Sequence, residues 1–474
     1  MKTMHSRLST ICSLSLLLGA HAPAQGVPTW NQVPSENRPT VRDEYSWACD
    51  EARGHLVLFG GNLSYVRQGD TWVHDGIDWS LRTPVHFPSP RTDTAMAWDP
   101  IRSRVLLFGG AERIGNIADT WEWDGVDWQL RTTASAPAPR YGACLVHDPV
   151  RQRMVLYGGM TDSGPVNDTW EWDGSTWVER TPVARPPAAI EWQDLAWDTV
   201  RQRAVLVGFW GSSHNCRVWE WDGTNWVDRT PVVVPPPRLH SGLVFDRNLG
   251  RVVLHDGMAF PSSTNPRADL WAWDGTAWAA LTPGRQATGV TGHELAWHPV
   301  WRSVVRFGGW HYPPGGGMSN PVRYDTLWMM STFAHPPSAT SFGVSCTSSA
   351  GTPKLEPLQM PWIGGVAQLK LSGVPASRPW ILAIGLSSTN YWHLILPAQL
   401  SSFGMPNCWI YTDILDSYAM STTTGSCRWS MTIPNVPALA GLQVFHQGYV
   451  NDPMRNEHGF VSTNAVSLVL GTTL

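Results

Sequence analysis

Asp119-Thr-Trp-Glu-Trp-Asp-Gly-Val-Asp-Trp128 reads as a Trp-rich strand, an Asp-Gly turn and the opening of a second strand. The pattern returns as Asp70-Thr-Trp-Val-His-Asp-Gly-Ile-Asp-Trp79, Asp168-Thr-Trp-Glu-Trp-Asp-Gly-Ser-Thr-Trp177, Val218-Trp-Glu-Trp-Asp-Gly-Thr-Asn-Trp226 and Asp269-Leu-Trp-Ala-Trp-Asp-Gly-Thr-Ala-Trp278. Its closing Trp falls at 79, 128, 177, 226 and 278, at spacings of 49, 49, 49 and 52 residues. A fixed period near 50 residues is the signature of a repeat architecture, in which each unit buries its apolar face against its neighbours.

One whole unit can be written outward from the quoted stretch. Thr92 to Asp99 alternates as a first strand, Asp99 to Arg104 is a charged turn, and Val105-Leu-Leu-Phe-Gly-Gly110 is a buried second strand stopped by two glycines. Asp119 to Asp124 is the third strand, Asp-Gly is expected to make a two-residue hairpin turn, and Trp128 to Thr132 is the fourth. Four antiparallel strands per repeat describe one blade of a β-propeller. The diglycine step recurs at Gly60-Gly61, Gly158-Gly159 and Gly308-Gly309, and is degraded to Gly208-Phe209 and Asp256-Gly257, which makes six second strands.

The sixth unit stops after Trp328 without its Asp-Gly turn or fourth strand. Trp30 precedes Asp50 by the same interval that separates Trp79 from Asp99, so Trp30-Asn-Gln-Val33 is a fourth strand lacking the three before it. It is expected to pair with the 324–330 stretch and close the ring, because an open ring would leave an unpaired edge. The fold expected is all-β, a six-bladed propeller over 25–332, closed by an N-terminal strand.

The Gly-Gly doublet, the Trp of the third strand, Asp-Gly, the Trp of the fourth strand and the Pro-Pro-Pro-Arg-Leu-His240 entry together resemble the kelch repeat. The resemblance implies that first strands line a central channel, fourth strands face outward, and the loops between blades share one face with those joining second and third strands. A kelch propeller followed by a β-sandwich also resembles the galactose oxidases, but none of Cys49, Cys144 and Cys216 matches their copper site, and these thiols read as small buried apolar groups.

Composition bounds the rest. Lys2 and Arg7, the short apolar run from Leu8 to Gly19 and Ala22-Pro-Ala24 read as a secretory signal peptide over 1–24. The expected location is therefore secreted, extracellular or periplasmic, with the cell surface as a further possibility. A charged fraction of 15% and a net charge of −4 supply no footprint for nucleic acid or anionic lipid, and no second apolar run suggests a transmembrane segment. A monomer is expected. A Pro/Ser-rich linker is expected over 333–345, and strand-like runs over 346–474 suggest a small β-sandwich accessory domain. Phrases such as Cys346-Thr-Ser-Ser-Ala-Gly-Thr-Pro353 and Gly404-Met-Pro-Asn-Cys408 resemble a C-terminal module of secreted bacterial proteins, which implies a Cys346–Cys408 disulfide and an odd thiol at Cys427.

Candidate chemistry lies where the units differ. Trp72, Trp121, Trp170, Trp219, Trp271 and Trp328 recur at one position and read as packing between blades. Arg42, Arg91, Arg140 and Arg238 enter the first strands and are expected to ring the channel mouth with cations, with Ala189 and Val290 as gaps. Just inside come Asp43, Glu44, Asp93, Glu191, Asp194, His240, His293 and Glu294. These groups either converge on a cation or polar ligand, or form a self-neutralising Arg–carboxylate lining. Tyr65, Trp210, His214, Trp310, His311 and Tyr312 on the loops form the expected recognition surface. Metal-binding, nucleophile-elbow and phosphate-loop motifs are absent, so no cofactor, metal or catalytic residue is assigned. The expected function is recognition of a protein or glycan through the loop face and channel mouth. The alternative is an extracellular carbohydrate-active hydrolase, lyase or oxidase using the same carboxylates and histidines.

Overall fold

A computed structural model describes residues 25–188, 193–210, 215–260, 266–283, 289–312, 321–333, 338–359, 361, 366–386, 388, 390–391, 394–400, 408–412, 416–422, 424–433, 442–453 and 460–470. The signal-peptide reading of 1–24 lies outside these residues. The chain divides into two compact units, Val27–Thr332 and Phe333–Leu474, the latter grouped with Met1–Gly26.

The larger unit is built of four-stranded antiparallel sheets. The second, which holds the quoted stretch, runs Ala95–Asp99, Arg104–Phe108, Thr120–Trp123 and Trp128–Arg131 in consecutive order. The first, third, fourth and fifth repeat it, opening at Ser46–Asp50, Cys144–Asp148, Asp194–Asp198 and Gly242–Asp246. The sixth opens with Glu294–His298 and Ser303–Phe307 and continues to Leu327–Phe333, and its fourth strand is Gln25–Val33 from the other end of the unit. The opening strands contact one another in cyclic order, with the sixth against the first. The arrangement is propeller-like, and the innermost strands surround an axial cavity.

Buried indoles hold neighbouring sheets together. Trp30, Trp79, Trp128, Trp177 and Trp226, which begin or lie in the outer strands, are each 1% exposed. Burial of one indole contributes up to about 4–6 kcal/mol by area. Trp128, Trp177 and Trp226 also donate their Nε1–H to Thr71, Thr120 and Thr169 of the preceding sheet, at 2.8, 2.9 and 2.9 Å. The third-strand indoles singled out from the sequence are only half-buried, and Trp121, for example, donates to Asp119 Oδ2 at 2.8 Å.

The Asp-Gly turns differ from the two-residue hairpin expected. Trp123 pairs with Trp128, so the loop has four residues, Asp124 to Asp127. Asp124 Oδ1 accepts the Val126 and Asp127 amides at 2.8 and 2.9 Å, and Gly125 takes φ 100°. An Asx-type turn with its own side-chain acceptor thus replaces the tight turn, and Gly is still required by the positive φ.

In the smaller unit a five-stranded sheet runs in the order Ser338–Phe342, Phe460–Val469, Gln443–Asn451, Arg378–Gly385, Asp416–Thr422. A three-stranded sheet of Lys354–Gln359, Val366–Ser372 and Cys427–Thr432 contributes to the same core cluster. Ser338–Phe342 falls inside the stretch read as a linker but pairs from Ser338↔Val469 to Phe342↔Ala465, an edge strand whose Pro-rich approach disguised it. Cys346 and Cys408 are joined by a disulfide of 2.07 Å, and Cys427 is a free thiol.

Candidate functional site

Five of the six opening strands enter the axial cavity through one residue in the left-handed region, and the place before the fourth lies outside the described residues. Glu44, Asp93, Gly142, His240 and Gly292 hold this place, with φ of 55°, 53°, 63°, 52° and 63°. The conformation lets adjacent sheets link by backbone hydrogen bonds: Asp93 N donates to Glu44 O at 2.9 Å, Gly142 N to Asp93 O at 2.9 Å and Gly292 N to His240 O at 3.2 Å. Glycine satisfies that geometry without strain, whereas a side chain there costs about 1–2 kcal/mol. Glu44, Asp93 and His240 bear that cost while lining the cavity. Burial pushes the His240 imidazole down to about 4. Burial first, and then Asp43, push Glu44 up.

One step further in, the first residues of the inner strands form a second tier. Ser46, Ala95, Cys144 and Gly242 are small or weakly polar, while Asp194 and Glu294 are acids. Leu195 N and Leu243 N donate to Asp194 at 2.7 and 3.0 Å, and Trp47 N donates to Glu294 Oε2 at 3.3 Å. Neither acid forms an ion pair among the described residues, and both keep some surface open to the cavity. Burial pushes Asp194 up to about 7 despite those amides. Burial pushes Glu294 well up, and the nearby Asp194 adds to the effect. The cavity has a volume of about 840 Å³, and Trp310 stands at its rim.

Behind this wall lies a buried polar chain. His293, 3% exposed, lines the cavity and approaches His255 Nδ1 through its Nε2 at 3.2 Å. His255 Nε2 is 3.2 Å from Asp256 Oδ1, and Asp256 Oδ2 accepts from Arg306 Nη1 at 3.0 Å and from Val290 N at 3.1 Å. Arg306 in turn sits over the Trp30 and Trp328 rings, 5.6 and 5.9 Å from their centroids. Burial holds both imidazoles uncharged, well below the usual histidine range.

No family model matches the chain, and no curated relative matches it. Among solved structures, that of YjhT aligns over 62% of this chain and 95% of its own, at 13% identity and a TM-score of 0.45.

Of the residues expected just inside the channel mouth, Asp43, Glu44, Asp93, Asp194, His240, His293 and Glu294 line the cavity, and of those expected on the loop surface Trp310 does. The ring of free cations does not form. Arg42, Arg91, Arg140 and Arg238 are at most 1% exposed, and each guanidinium spans both oxygens of one aspartate, Asp70, Asp119, Asp168 or Asp269, with closest contacts of 2.5–2.6 Å. Each also donates to a backbone carbonyl that the diglycine step would leave without a ladder partner, as Arg140 does to Gly158 O at 2.9 Å. Burial pushes the Asp70 and Asp168 carboxyls up, but hydrogen bonds and charge from Arg42 and Arg140 outweigh it and hold them below the usual range. These arginines are structural clamps.

Trp210 is a correction as well: it is 8% exposed, folds over Gly208 and donates to Pro187 O at 2.9 Å, so it belongs to the core. Tyr65 is 97% exposed and does not line the cavity. His311 stacks on Tyr324, and Tyr312 meets Trp310 edge-on at 5.2 Å, both outside the cavity lining. Glu191 and His214 lie outside the described residues.

The His255–Asp256–Arg306 chain was missed by sequence reasoning, although the repeat carried a signal for it. His255-Asp256 replaces the Phe-Gly or Tyr-Gly of the first three units, and Arg306 stands where they have Leu58, Leu107 and Leu156. The Arg–Asp clamp was equally legible. Where the arginine is lost, at Ala189 and Val290, the matching aspartate is lost too, to Arg217 and Thr326.

Proposed function

We propose that this protein is a six-bladed kelch-type propeller with a β-sandwich module, and that it binds a polar small ligand, a glycan, in its axial cavity. The observation that carries the reading is the pair Asp194 and Glu294, held by backbone amides and open to a cavity of about 840 Å³. That volume lies in the range of small-molecule sites, and convergent polar groups set among apolar side chains are a usual part of their composition. Strained polar residues at Glu44, Asp93 and His240 support the same reading, because strain persists where surrounding structure and function hold it. Export fits the leader-like 1–24 segment.

The test is glycan-array binding by the full chain, repeated with Asp194→Asn and with Trp310→Ala. Loss of binding in the first variant and weakening in the second are expected. Unchanged binding in both would place the ligand elsewhere.

One observation favours a catalytic reading beside it. Two carboxyls with displaced proton affinities and an uncharged histidine share one cavity, the composition of an acid–base site. Turnover of any array-positive glycan, followed by product analysis and abolished by Glu294→Gln, would distinguish an enzyme from a binding module.

A further inference from the structure

The charges around the axial cavity do not balance. Arg42, Arg91, Arg140 and Arg238 are consumed by their aspartates, Arg323 is held by Asp43 at 2.8 Å, and Arg306 by Asp256 at 3.0 Å. At the far end Arg247 pairs with Glu51 at 2.5 Å. Asp194 and Glu294 are left with backbone amides alone among the described residues.

The histidine chain behind the wall is a separate buried network. Asp256 Oδ2 receives two donors, one of them the Arg306 guanidinium, which works against the burial that pushes this carboxyl well up. Its Oδ1 lies 3.2 Å from His255 Nε2, and His255 Nδ1 lies 3.2 Å from His293 Nε2, so the protons along the chain are set together. His293 Nδ1 is buried and has no hydrogen-bond partner among the described residues. The wall therefore presents two acids, Asp194 and Glu294, to whatever fills it.

A ligand complementary to that wall carries donors and positive charge. A bare metal ion fits poorly, since among the described residues no three acidic, histidine or cysteine side chains gather closely enough to hold one. The space instead suits a molecule that spans it, and an ammonium supplies three donors. Trp310, 6.4 Å from His240 between ring centroids, provides an aromatic surface at the rim for the C–H face of a sugar.

We infer that the cavity is a site for an amino sugar, whose ammonium sits between Asp194 and Glu294 and whose ring lies against Trp310. This rests on the reading of the cavity as a glycan site and specifies its chemistry.

Isothermal titration of the full chain with four probes tests it: the β-1,4-linked glucosamine disaccharide, its N-acetylated form, cellobiose and spermidine. The free amine form should bind roughly tenfold or more tighter than either neutral disaccharide, and Glu294→Gln should erase that preference while leaving thermal unfolding cooperative. Equal or tighter binding of a neutral disaccharide overturns the cationic inference and leaves the glycan reading standing. Spermidine binding as tightly as the amino sugar overturns the sugar assignment. Binding of none of the four overturns both. A variant that misfolds is replaced by Asp194→Asn, for which an unchanged amine preference overturns the placing of the ammonium.

Discussion

Replacing Asp194 by Asn isolates the protonation of one cavity acid. A carboxyl whose folded value lies above its unfolded value stabilises the fold at low pH, and that contribution disappears as pH rises through the folded value. Asp194 moves from 3.8 to about 7. Integrated between pH 5 and pH 8, that displacement corresponds to about 2–3 kcal/mol of stability present at pH 5 and absent at pH 8. The buried histidines work in the opposite sense. His74 and His298, both pushed down to about 3, give stability that is lost as pH falls below their unfolded range near 6.5. The wild-type profile is a sum of both, so the informative quantity is the difference between wild type and variant. Asn keeps one acceptor for the Leu195 and Leu243 amides and loses the other, a pH-independent cost of about 1 kcal/mol. Glu294 loses a neighbouring charge in the variant, which slightly reinforces the change. Urea unfolding of both proteins at pH 5, 6, 7 and 8 should show wild type more stable by about 1 kcal/mol at pH 5 and the difference moving by about 2–3 kcal/mol in favour of the variant as pH rises, so that the order reverses by pH 8. Parallel profiles would refute the protonation of Asp194 and, with it, the electrostatic description of the cavity.

The clamps make a double-mutant test. Asp168→Thr strands the Arg140 guanidinium in the core and should cost about 3–5 kcal/mol, whereas Arg140→Val with Asp168→Thr reproduces the Val290/Thr326 pair of the sixth sheet and should recover most of the loss in urea unfolding. Deleting residues 25–34 removes the strand paired with Leu327–Phe333 and the Trp30 ring, whose centroid lies 4.5 Å from that of His255. The larger unit should then lose its cooperative thermal transition, and an unchanged transition would show that the closing strand is dispensable. Reduction of Cys346–Cys408, which spans 62 residues, should destabilise the smaller unit by about 4 kcal/mol and leave the larger one unaffected, as read by differential scanning calorimetry.

How much was legible beforehand follows from what repeats. Hydrophobic period, turn chemistry and diglycine steps are local, and copies at one spacing reinforce one another, so strands, sheet boundaries and the strand contributed by Trp30 could be read directly. The errors came from single features read without their partners. The arginines recur as faithfully as the tryptophans, and recurrence alone does not distinguish a cation facing a channel from one clamped to an aspartate 28 residues on. Trp210 looked like a loop aromatic because the chain does not reveal that it folds back over Gly208.

Asp119 to Trp128 and its copies thus determined the β architecture, the phase of the units and the place where the ring is completed. Only the tertiary structure decided that the arginines are neutralised while Asp194 and Glu294 are not, and that His293 is backed by His255, Asp256 and Arg306. The physical reason is that charge balance depends on distance and burial across several sheets. Residues from the fourth, fifth and sixth units acquire shared electrostatics when the inner strands close around one axis, and no window of sequence contains them together.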